Sequence, residues 1–223
     1  MTVPAPAPLS PLTALQARML GVLVEKQHTV PDTYPLSLNA LVAGCNQKTS
    51  RDPVMDATEA EVLEALDGLR ARSLVIESSG GRVMRYAENA RRVLGVPAES
   101  VALLATLMLR GPQTAAELRA NCERVHRFSD VSAVEAYLDE LAERAPGPYV
   151  RRLPRAPGSR EARWAHLLCG APAEDAAAAR ATSGPGDTTA AAAGDGRGVA
   201  AVLDDLVRRV EALEREVAAL RGR

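Results

Sequence analysis

Residues 58–86 read TEAEVLEALDGLRARSLVIESSGGRVMRY. Thr58 and Glu61 form a capping box, in which hydroxyl and carboxylate each satisfy a free N–H at a helix start. Val62, Leu63, Leu66 and Leu69 then recur at three- and four-residue steps, which predicts a helix with these four inward. Leu74-Val75-Ile76, a Ser78-Ser79-Gly80-Gly81 turn and Val83-Met84-Arg85-Tyr86 follow, and this pattern reads as a β-hairpin.

Two helices precede this unit. Ser10 as N-cap with Pro11 at the first helical position predicts a helix near 12–26, with Leu12, Leu15, Met19 and Leu23 on one face. A Pro-punctuated loop spans His28 to Pro35. Ser37 then caps a short helix with Leu38, Leu41, Val42 and Cys45 on its apolar face. The order recurs downstream. A helix near 98–110 carries Val101, Leu104, Ala105 and Met108 and stops at Gly111-Pro112. Thr114 and Glu117 form another capping box ahead of Leu118 and Cys122. Ser132 starts a third helix with Val134, Leu138 and Leu141. Tyr149-Val150 and Trp164 to Leu168 flank an Arg-rich loop.

Three helices followed by a hairpin, twice, is the tandem winged-helix arrangement, with the third helix as the usual recognition element and the hairpin as wing. The expected fold is mainly α, of the α+β class: a disordered tail over 1–10, winged-helix domain 1 over 11–95 and winged-helix domain 2 over 96–170. A flexible Ala/Gly-rich linker is expected over 171–199 and a coiled-coil helix over 200–223. In the last segment Leu203, Leu206, Val210, Leu213, Val217 and Leu220 step alternately by three and four residues, the a/d seam of a parallel dimer. Arg209 with Glu214, and Glu216 with Arg221, give attractive g–e′ pairs.

Leu20-Gly21-Val22-Leu23-Val24-Glu25-Lys26, Asp32-Thr33-Tyr34-Pro35-Leu36-Ser37-Leu38-Asn39-Ala40-Leu41, Cys45-Asn46-Gln47-Lys48-Thr49-Ser50-Arg51-Asp52-Pro53-Val54 and Leu109-Arg110-Gly111-Pro112-Gln113-Thr114 resemble the YceH-like family of uncharacterised bacterial proteins, domain of unknown function 480. The resemblance covers about 12–170. It implies tandem winged helices and a cytoplasmic protein, and no particular activity.

Composition narrows the roles. Apolar residues make up 47% of the chain, aromatics 3%, and the formal net charge is −1, so no global field draws the protein to nucleic acid or anionic membrane. Three widely spaced cysteines, Cys45, Cys122 and Cys169, form no disulfide framework and fit a reducing compartment. The Pro-rich start is not expected to be a signal peptide, and no apolar run is long enough to span a membrane. Catalytic patterns such as HExxH, a P-loop, GxGxxG or GxSxG are absent, so the expectation is a non-enzymatic protein without cofactor. Cys122, His126, His166 and Cys169 carry zinc-ligand chemistry, but Cys122 falls on an apolar helix face, and the expectation is no metal.

Two features point to double-stranded DNA. The loop Asn46, Gln47, Lys48, Thr49, Ser50 and Arg51 mixes amide, hydroxyl and cationic donors suited to phosphates and base edges. The hairpins add Arg82 and Arg85 in the first copy and Arg151, Arg152, Arg155, Arg160 and Arg163 in the second. Opposing them, the outward faces of the third helices read acidic: Glu61, Glu64 and Ala65, then Glu135, Ala136 and Glu143 with Asp139 and Glu140 nearby. The leading expectation is a homodimeric DNA-associated regulator, and the alternative is a protein-interaction adaptor. A continuous positive stripe over loop and wings favours the first; acidic third helices dominating that face favour the second.

Overall fold

A computed structural model describes residues 10–79, 83–145, 147–155 and 161–170. The linker and the expected coiled-coil helix lie outside the described residues. The fold is helical with two small sheets, an α+β arrangement. Its elements are α1 (Ala14–Thr29), a turn of 3-10 helix (Pro31–Thr33), β1 (Leu36–Ser37), α2 (Leu38–Cys45), α3 (Glu59–Ala71), β2 (Val75–Ser78) and β3 (Arg85–Glu88). A short α4 (Ala90–Leu94) leads to α5 (Ala98–Arg110), α6 (Ala115–Cys122), α7 (Val131–Glu143), β4 (Val150–Arg152) and β5 (Trp164–His166).

Local chemistry sets most boundaries. Ser37, Thr58 and Thr114 cap α2, α3 and α6 as expected, the last two as full capping boxes. Gly111, at φ 72°, ends α5. Two starts differ from the sequence reading. Thr13, not Ser10, caps α1: its hydroxyl accepts from Gln16 N–H at 3.1 Å, and the Gln16 side chain accepts from Thr13 N–H at 3.0 Å. This reciprocal pair outcompetes a lone serine before proline. Asp130, not Ser132, caps α7 by accepting from Ala133 N–H.

Two side chains of α3 also exchange places. Leu63 is 43% exposed, whereas Ala65 is 8% exposed and belongs to the core. The 3.6-residue period fits either choice. The first hairpin's second strand begins at Arg85, two residues later than expected, which leaves Val83 and Met84 exposed.

The sheets repeat one device. In the first, antiparallel β3 lies between β1 and β2, with Leu36 opposite Tyr86 and Val75 opposite Glu88. In the second, β4 pairs with β5, with Val150 opposite His166. Gln113 also exchanges two backbone hydrogen bonds with Trp164, of 3.1 and 2.7 Å. Leu36 and Gln113 each immediately precede the N-cap of the second helix of their half. Each half therefore closes its last strand onto the chain just before that helix.

One hydrophobic core joins the halves. In α1 every residue from Gln16 to Val24 is buried, and in α5 every residue from Ser100 to Leu109. An amphipathic surface helix would leave one face in water; these two pack on each other and on the remaining helices. At their crossing Gly21 admits Leu109, whose Cγ lies 3.0 Å from where a Cβ would stand. Leu12 N–H donates to Leu168 O at 2.7 Å, pinning the start of the described region to its end.

Candidate functional site

The segment after α2 is built by polar bonds directed into the protein. Asn46 uses both ends of its amide on Ala57, accepting from its N–H and donating to its carbonyl, each at 2.8 Å. Arg51 is buried. Its guanidinium donates to both Glu25 carboxylate oxygens, at 3.2 and 2.6 Å, and to the Gly44 and Ser50 carbonyls. Gln47 Oε1 accepts from Lys26 and Arg51, and its Nε2 donates to Thr49. Asn46 and Arg51, both read as candidate DNA contacts, thus direct these bonds into the loop and its supports. Lys48 remains exposed with no partner among the described residues.

Arg18, missed by the sequence reading, is 1% exposed and donates to Cys45 O at 3.2 Å and Pro53 O at 2.7 Å. Guanidinium groups stay charged even when buried. Of the two buried arginines, Arg51 alone contacts the Glu25 carboxylate, while Arg18 holds backbone carbonyls. Burial pushes the Glu25 carboxyl up, but hydrogen bonding and charge from Arg51, with Lys26 adding, hold it below its ordinary value. Glu25 is consequently ionised at neutral pH.

Beside this network lies a cavity of about 130 Å³ between the ends of α1, α5 and α6. Glu25 and Lys26 line it from α1, Gln47 and Ser50 from the loop after α2, Arg110 from α5, and Asn121 and Arg124 from α6 and the loop beyond. The loops that follow α2 and α6, equivalent in the two halves, meet here. Arg110 donates to Ser50 Oγ at 2.7 Å, and Ser50 sits at φ 60°, a left-handed conformation unusual for a residue with a side chain. Asn121 donates to Gln113 Oε1 at 2.8 Å. Arg124 is exposed and without a partner among the described residues. Lys26, Arg110 and Arg124 come from three separate elements, and no sequence spacing announces them as neighbours.

The hairpin arginines divide. Arg85 donates to the Thr33 and Pro35 carbonyls, fastening β3 to the segment ahead of α2. Arg163 is bound to Pro112 O and Glu117. Arg151, Arg152 and Arg155 are exposed, with Arg152 stacked 5.8 Å over the Trp164 ring. Arg82 and Arg160 lie outside the described residues, as do the seam residues Leu203, Leu206, Val210, Leu213, Val217 and Leu220.

Cys45 and Cys122 are buried core thiols, and burial pushes Cys45 up to about 12 and Cys122 upward as well. Burial lowers His166 to about 4, and its Nδ1 has no hydrogen-bond partner. Among the described residues no group of three or more His, Cys, Asp or Glu is placed to hold a metal ion, and no helix is long and apolar enough to cross a membrane.

A family described as protein of unknown function, DUF480, matches residues 12–159, and the chain belongs to that family. It is 72% identical over 159 residues to a UPF0502 protein of Leptothrix cholodnii, covering 71% of either chain. It is 59% identical over 219 residues to one of Cupriavidus necator, covering 98% of this chain and 86% of the relative. Identity to one of Burkholderia multivorans is 67% over 167 residues, 75% of this chain and 71% of that one.

Proposed function

We propose that the chain is a non-enzymatic adaptor of two tandem winged-helix domains, 11–95 and 96–170, whose third helices dock a basic protein partner. The repeated helix–helix–helix–hairpin order supports the winged-helix reading, as does the closure of each last strand onto the residue before the second helix's cap. One observation carries the choice of partner. The exposed face of α3 presents Glu59, Glu61, Glu64 and Asp67, and that of α7 presents Glu135, Asp139, Glu140 and Glu143. The cation Arg70 on α3 is spent on Asp67 and Glu77. A recognition helix of this charge is repelled by phosphates and is complementary to a Lys/Arg-rich protein segment. The linker and a parallel coiled-coil helix complete the reading as a homodimer.

Anisotropy titrations test it. A Lys-rich peptide should bind the full-length protein and lose affinity in a Glu64→Lys/Glu140→Lys variant, while random duplex DNA at low salt should not bind. Tight duplex binding that falls linearly with the logarithm of salt overturns the adaptor reading.

The DNA-associated regulator is the second reading, favoured by the exposed arginines of the second hairpin. Arg152 and Arg155 have no carboxylate partner among the described residues. If they grip phosphates, replacing Arg151, Arg152 and Arg155 with Ala should weaken every duplex alike and reduce the salt slope by about one per lost contact.

A further inference from the structure

We infer that the cavity where the loops after α2 and α6 meet is a binding site for a phosphate-like oxyanion, either free phosphate or the phosphate group of a small phosphomonoester. The inference goes beyond the adaptor reading and does not depend on what α3 and α7 bind.

Charge is the first argument. Lys26, Arg110 and Arg124 line the cavity against the single carboxylate of Glu25. That carboxylate is already matched by the buried Arg51, which contacts it at 2.6 Å. Lys26 also lies 3.4 Å from that carboxylate, so the one anion is shared by Arg51 and Lys26, and Arg110 and Arg124 face the space with no carboxylate partner among the described residues.

Cations at helix C-termini ordinarily serve the free terminal carbonyls, and each C-terminus carries about half a negative charge. Here several carbonyls at these ends already have donors. Glu25 O accepts from the Thr29 hydroxyl and Lys26 O from Val30 N–H. Leu109 O accepts from Asp52 N–H and Cys122 O from His126 N–H. Even with about half a charge at each of three helix ends, three cations leave an excess of positive charge.

Donor capacity is the second argument. Arg110 spends one bond on Ser50 Oγ, whose own hydroxyl proton stays available. Lys26 Nζ is engaged by Gln47 and by Glu25 at 3.4 Å, which leaves it one donor, and Arg124 spends none among the described residues. Guanidinium forks match tetrahedral oxyanions bidentately, and such charge-assisted bonds are the strong ones. At about 130 Å³ the cavity accepts a tetrahedral oxyanion and is too small to enclose a nucleotide or another drug-sized ligand.

Thermal unfolding of the full-length chain at constant ionic strength tests this, with inorganic phosphate, glycerol phosphate and chloride in parallel. Phosphate, the ester or both should raise Tm saturably, and chloride should not; the ester's effect tells whether the group is accepted on a carrier. Arg124→Gln should shift the midpoint at least tenfold to higher concentration while leaving the ligand-free Tm and circular dichroism unchanged. Lys48→Gln, an exposed cation outside the cavity, should leave the midpoint alone. An equal shift with chloride, no saturable shift with either phosphate or the ester, or an unchanged midpoint in Arg124→Gln overturns the inference.

Discussion

The Arg51 guanidinium closes on the Glu25 carboxylate through contacts of 3.2 and 2.6 Å, with the arginine side chain fully buried and the glutamate 17% exposed. Removing one partner strands the other's charge in the interior. Arg51→Ala should therefore cost about 3 kcal/mol, the low end for a broken buried pair because Glu25 retains some solvent. For a folded region of this size Tm should fall by roughly 6–12 °C. Calorimetry of Arg51→Ala, Glu25→Gln and the double variant checks this. Additive losses would show that the pair is not coupled.

His166 sets an acid limit. Its pKa falls to about 4 in the folded protein because burial opposes charging. The unfolded chain takes up that proton near pH 6.5 and the native one does not. Stability should thus decline as pH falls from about 6.5 towards 4, by up to ~1.4 kcal/mol per unit from this group. Urea titrations across that window should show a shallower decline for His166→Leu than for the natural protein. Parallel profiles would contradict the assignment.

Gly44 touches α1 where no side chain fits. A Cβ there would stand 2.5 Å from Val22 Cγ1. Gly44→Ala gains about 1 kcal/mol of helix propensity but meets an overpacking cost of about 1–3 kcal/mol, so net destabilisation is expected. Adding Val22→Ala should recover part of the loss that either change causes alone, read from the coupling energy of the double-mutant cycle.

The halves should not fold apart. A fragment covering 10–95 would expose the side of α1 that meets α5, including Gly21 and its neighbours. It should give a poorly dispersed amide spectrum and no cooperative melt, whereas 10–170 should melt in one transition. A well-dispersed spectrum for the short fragment would show that the core divides.

Self-association should depend on residues 203–220. Leu206→Asp with Leu213→Asp places charges in the expected seam, where desolvation costs several kcal/mol per ion. Light scattering should report a monomer, with the melt of the helical region unchanged. A monomeric natural protein at tens of micromolar, or a dimer that survives deletion of everything after Gly170, would refute the seam.

Local chemistry made much of the architecture legible. The boxes at Thr58 with Glu61 and Thr114 with Glu117 act over three residues, and a reader of sequence sees the whole interaction. The start of α1 was misread because Ser10-Pro11 and Thr13 with Gln16 are competing local signals, and only the second includes a reciprocal partner. Two-residue β1 and five-residue α4 are too short to show a period. The internal bonds of the loop after α2 were hidden for a different reason. Asn46 and Arg51 have the composition of a surface reader, yet their partners Ala57 and Glu25 lie 11 and 26 residues away. The cavity was illegible because its cations converge only after α1, α5 and α6 have packed.

The burial of α1 against α5 leaves neither helix a face on which to slide or rotate. The strands of β2–β3 and β4–β5 are thereby set at one separation by a shared core, like the jaws of a caliper. A partner that engaged both would have to possess that spacing already, and no closing motion would be required of the protein.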